Sequence, residues 1–227
     1  MTRARYFKST LVRHWKFLVP LLSDSVGETT PKRQKSHSME PLPSHELVGA
    51  RVVGDMPSAD LVDLWGKISS GIVKYGFVIE YRDLEPPRTG IFDGVRIVID
   101  PDVGFEMQCF LLLHLFGHSV QWVAPSLAHT IEELQSTADR ARFLQVLHDY
   151  EFEAARFGMQ LMHERGVAHL DQWYSDFVET DWRYVEGFYR TDRIPVWVDC
   201  VVSGCPLIHP APIPALTHRQ VDVRFAF

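Results

Sequence analysis

Residues 105–122, FEMQCFLLLHLFGHSVQW, run for five turns without a proline and are apolar on most faces. A segment of that kind reads as a helix enclosed by the rest of the domain, so other elements must wrap around it. No stretch of the chain approaches 18 uninterrupted apolar residues, so no transmembrane helix is expected. His114 and His118 stand at i and i+4 in this segment, which puts both imidazoles on one helix face about one turn apart. Two such imidazoles can chelate one metal ion. The spacing alone does not decide the matter, because 11 His in 227 residues give about half such a pair by chance. Two histidines packed or hydrogen-bonded inside a core would leave the same pattern.

The neighbouring segments define the domain around that helix. ADLVDLWGKISSGIVKYG carries apolar residues at helical spacing and stops at Gly76. FVIEY (77–81) and GVRIVID (94–100) read as strands, separated by RDLEPPRTGIFD with its proline pair and Gly90. Residues 131–165 read as one or two long amphipathic helices ending at Gly166, and 170–190 as an aromatic-rich helix. Beyond Pro195, VWVDCVVSG and VDVRFAF read as short strands around a proline-rich stretch. The expected class is α+β, a small antiparallel or mixed sheet packed on a bundle of helices. Three parts are expected: a basic leader and polar linker over 1–46, poorly ordered; an α+β domain over 47–168; and a helical and irregular extension over 169–227 packed on that domain.

About 30 residues after the histidines comes HDYEFEAARFGMQLM (148–162). Glu151 on this second helix can supply the third ligand of a site with three protein ligands and one open position. Neutral imidazole with carboxylate is an ordinary zinc donor set, so one zinc per chain is the expected cofactor. His148, three residues before Glu151, shares its face and is a reserve ligand or a partner to a ligand.

Together, the strand RIVID, the helix LLLHLFGHSVQW and the helix EFEAARFGMQLM resemble the ImmA/IrrE zinc metallopeptidase family over about residues 55–165. The resemblance implies a zincin-like domain with metal ligands at His114, His118 and Glu151, and Glu153 next in line for the third place. Phe157 matches the family's Phe, whereas Ala155 stands where Asn is usual and Gly158 where Ala is usual. The family's catalytic Glu falls on Leu115. That carboxylate carries a proton from water to the leaving amine, which leucine cannot do. Glu106, eight residues upstream on the same helix and about 12 Å away along its axis, is too far to replace it. The implied protein is a degenerate metallopeptidase that keeps its metal, is catalytically impaired, and acts as a binding or regulatory module on a peptide or protein partner. An active zinc hydrolase with a non-standard base, and a metal-free structural protein with core histidines, are the alternatives.

Charge and cysteine content narrow the partners further. Residues 1–38 hold eight Lys/Arg against Asp24 and Glu28, a net +6, which leaves −12 on the rest of a chain whose total is −6. An acidic body repels phosphate backbones, so nucleic acid is expected at most at the basic leader, for instance at the KRQK run over 32–35. Three cysteines point to a reducing, cytoplasmic setting rather than a disulfide scaffold. Cys200, Cys205 and His209 are spaced unlike any standard zinc motif, so buried or free thiols are expected.

Overall fold

In the computed structural model, residues 57–85, 88–124, 139–218 and 225–226 are described. The leader and linker over 1–46, with the KRQK run, lie outside them, as do 47–56 and 131–138. The order is α1 (Ser58–Lys74), β1 (Val78–Tyr81), β2 (Gly90–Phe92), β3 (Arg96–Ile99), α2 (Phe105–Val123), α3 (Arg140–Glu164), α4 (Asp171–Thr191), α5 (Trp197–Cys200) and β4 (Phe225–Ala226). A 3-10 turn, Ala168–Leu170, joins α3 to α4.

The class is α+β and the sheet is mixed, in the order β1-β3-β2-β4. Strands β1 and β3 run parallel, while β2 pairs antiparallel with both β3 and β4. Strand β2 lies inside the segment read as a plain connection, because three residues cannot display alternation. It forms through a tight turn instead. Gly94 takes φ 82°, and Asp93 Oδ1 accepts from the Val95 and Arg96 N–H groups at 3.2 and 2.8 Å. The Arg96 guanidinium also donates to Asp93 Oδ2, at 2.9 and 2.7 Å. Burial pushes the Asp93 carboxyl up, but these donors outweigh it and hold the group below the usual carboxylate range. Asp93→Ala is therefore expected to cost about 1–2 kcal/mol at neutral pH. A depressed folded pKa stabilises above the unfolded value of about 3.9 and is lost as pH falls through the folded one. The wild-type and variant stabilities should thus converge in acid, as read by urea unfolding at pH 7 and pH 3.

Helix α2 is the centre of the core, with Cys109, Leu112, Leu113, Leu115, Phe116 and Val120 all at zero exposure. Burial accordingly lifts the Cys109 thiol to about 12. Helices α1 and α3 and strands β2 and β3 enclose it. Helix α4 then ties down the extension through a row of polar side chains. Asp176 accepts from the Gly204 and Cys205 N–H groups at 3.0 and 2.8 Å. Ser175 Oγ accepts from Ile208 N–H at 3.0 Å, and Gln172 Nε2 donates to the Cys205 carbonyl at 2.9 Å. The strand expected at VWVDC is helix α5 instead, where Trp197 packs its ring on Phe177 and Tyr184 of α4. Of the strand expected at VDVRFAF, Phe225–Ala226 are described and pair with β2 as β4; the rest lies outside the described residues.

Candidate metal centre

Close contact between α2 and α3 creates the site. A Cβ on Gly117 would stand 2.6 Å from the Ala154 carbonyl carbon, so the two backbones touch where only glycine permits it. Gly158 does the same one turn on, where a Cβ would meet the Leu113 carbonyl oxygen at 3.0 Å and the Tyr174 ring at 2.9 Å. The small residues flanking the motif are thus the reason that a carboxylate from α3 reaches imidazoles on α2.

Three donor atoms converge there. His118 Nε2 lies 3.1 Å from His114 Nε2 and 3.1 Å from Glu151 Oε2, and His114 Nε2 lies 3.3 Å from Glu151 Oε2. The side chains of His118, His114 and Glu151 are 0%, 2% and 5% exposed. A tetrahedral shell with zinc bonds of about 2.0–2.1 Å has edges of about 3.3 Å, so the three donors already stand at that spacing. Burial pushes the Glu151 carboxyl up, but the two histidines outweigh it and hold it at about 2.

Gln121 fixes which nitrogen of His118 faces the centre. Its Nε2 donates to the Tyr150 carbonyl at 2.8 Å and to Glu153 Oε2 at 2.9 Å, and both of those can only accept. Its Oε1 therefore faces His118 Nδ1, at 2.9 Å, and takes the hydrogen carried there. His118 Nε2 is then the atom with a lone pair for the cluster. Aromatic rings seal the flanks. Phe92 of β2 and Tyr150 stack on His118 at 6.1 and 4.8 Å, and Phe110 stacks on His114 at 5.3 Å.

Searches against protein-family models, curated proteins and solved structures return no match. The arrangement must therefore be read from its own chemistry.

Of the residues singled out in the sequence, His114, His118 and Glu151 come together, and Glu153 stands behind them, linked through Gln121 to His118. His148 does not join the group. Its ring is taken up by aromatic packing instead, stacking on Phe152 at 4.2 Å and meeting the edge of Trp182 at 4.9 Å. Glu106 accepts from Trp173 Nε1 at 2.8 Å. Leu115 is fully buried, with a methyl carbon 2.8 Å from where a Cβ on Gly90 would stand. Cys200, Cys205 and His209 form no close donor group among the described residues. Asp83, Asp100 and Asp102 do cluster, but Asp100 is occupied in accepting from the Leu84 and Asp102 N–H groups at 3.1 and 2.8 Å.

Sequence reasoning missed two residues. Gln121 follows His118 by three positions, a helical spacing that could have flagged it. Asp181 of α4 brings a further carboxylate near His114, with Oδ2 at 4.0 Å from His114 Nε2 and 17% of its side chain exposed. Burial lifts the Asp181 carboxyl to about 6, with His114 opposing the rise and the charge of Glu151 adding to it.

Proposed function

We propose that this chain is a degenerate metallopeptidase-like protein of the ImmA/IrrE type, holding one zinc ion through His114, His118 and Glu151. The observation that supports this reading is the triangle of donor atoms at 3.1, 3.1 and 3.3 Å. Its edges match a tetrahedral zinc shell, and the Gln121 hydrogen bond leaves the correct nitrogen of His118 facing in. Zinc at such a site supplies Lewis acidity, polarising a carbonyl or acidifying a water.

The chain's own residues do not complete the family's hydrolytic route. At the position of the usual proton carrier stands Leu115, buried against β2. General acid–base help is worth about 10²–10⁴-fold in rate, and that factor is lost. The protein therefore uses its metallopeptidase-like domain, cytoplasmic in setting, as a binding or regulatory module for a peptide or protein partner. Among the described residues no helix is long and apolar enough to cross a membrane.

Metal analysis by mass spectrometry on the untagged full chain, beside His114→Ala, tests the reading. About one zinc per chain is expected in the wild type and none in the variant. Removing the zinc should also lower the melting temperature. A site filled at 1,000 times its Kd stabilises by about 4 kcal/mol, or roughly 8–16 °C for a chain of this size. No metal in the wild type, and no response of its melting to zinc, would make the histidines core residues and overturn the proposal.

A further inference from the structure

We propose that Asp181 is a fourth metal ligand, which closes the site and makes the ion a structural tie between α4 and the α2–α3 pair. This rests on the reading that His114, His118 and Glu151 hold zinc. Asp181 Oδ2 stands 4.0 Å from His114 Nε2, against the edge of about 3.3 Å that a tetrahedral shell requires. To His114 the gap is less than 1 Å, while Asp181 stands outside the tight group of three, more than 4.8 Å from at least one of the other two donor atoms. Rotation about the two side-chain torsions of this mostly buried aspartate, with a small approach of α4, would bring it in when the ion binds. Among the described residues, Phe92, Phe110 and Tyr150 pack their rings on the two imidazoles, while Asp181 presents a carboxylate to His114.

Charge balance points the same way. Two carboxylates, Glu151 and Asp181, face two imidazoles in a nearly dry site. Among the described residues no lysine or arginine forms an ion pair with either one. A doubly charged cation offsets both carboxylates, and direct ligation brings the Asp181 charge into contact with the ion instead of leaving the two separated in a dry site. A catalytic zinc keeps an open position and a structural zinc has four protein ligands. A closed site also agrees with Leu115, since a centre that binds no water needs no proton carrier. Helix α4 lies beyond residues 55–165, so this ligand comes from the extension and would lock it to the domain.

The test is a zinc competition titration on the full chain, with cobalt(II) absorption as a second probe of the ligand set. Asp181→Asn, nearly isosteric, is expected to weaken zinc by about 100-fold or more and to alter the visible cobalt band. Asp181→Glu, which keeps the carboxylate, should recover most of the affinity. Circular dichroism confirms that both variants fold. Hydrogen exchange across residues 176–186 should slow on zinc binding in the wild type and not in Asp181→Asn. Wild-type affinity and an unchanged cobalt band in Asp181→Asn, with zinc lost in His114→Ala, would overturn the fourth ligand alone. Undiminished zinc binding in His114→Ala would overturn the three-ligand site and this inference with it.

Discussion

Gly117→Ala is expected to destabilise the metal-free domain by about 3 kcal/mol and to weaken zinc binding as well. The added methyl would meet backbone rather than a side chain that can turn away, since a Cβ there lies 2.6 Å from the Ala154 carbonyl carbon and 2.9 Å from its Cα. Overpacking a close-packed core costs about 1–3 kcal/mol, and two helix backbones pressed together stand at the upper end of that range. For a chain of this size the melting temperature should fall by roughly 6–12 °C, read by circular dichroism without metal. Zinc affinity should fall too, because the only relief is to move α3 away from α2. That movement carries Glu151 away from His118, its neighbour at 3.1 Å. A melting temperature within about 2 °C of wild type, with zinc affinity unchanged, would show that the contact does not set the site.

Glycine at 117 explains why so much of the site was legible in the chain. The His114/His118 pair needs only the helical period, and the buried helix announces itself by its apolar run. Glu151 could be placed because α3 is long, regular and amphipathic, and because the resemblance gave its distance from the histidines. What could not be read has physical reasons. Strand β2 has three residues, too few for a period, yet it carries Phe92 onto His118 and Gly90 onto Leu115. Residues 197–200 are apolar and β-prone, yet they coil into α5, because Trp197 finds its cover on α4 rather than at a sheet edge. Asp181 lies in a helix whose Trp173, Tyr174, Phe177 and Trp182 dominate its pattern and mark it as packing. A single carboxylate delivered by a docked helix has no spacing rule to betray it. His148 shows the converse: it fits the spacing of a ligand, and its ring is taken up by Phe152 and Trp182.

Leu115→Glu, which introduces the carboxylate usual in the resembling family, is expected to destabilise the domain rather than awaken it. Leu115 has no exposure, and its methyl packs where a Cβ on Gly90 would have to stand. Core thus fills the place where the resembling family carries its carboxylate, with β2 resting on the leucine. An ionised carboxylate in that pocket lacks a cation and a water shell, at a cost of at least about 3 kcal/mol. In the metal-free protein the melting temperature should drop by roughly 6–12 °C. Zinc should return part of the loss, since a cation held by the neighbouring His114 would offset the new charge. Hydrolysis should still not appear. A proton carrier is useful only beside a water, and in the proposed four-ligand site Asp181 takes the position that a water would need. Release of amines from casein by the zinc-loaded variant, compared with wild type at equal zinc, reads this directly. Cleavage by Leu115→Glu alone would mean that the fourth position is open, and the protein would then stand one substitution away from being a peptidase.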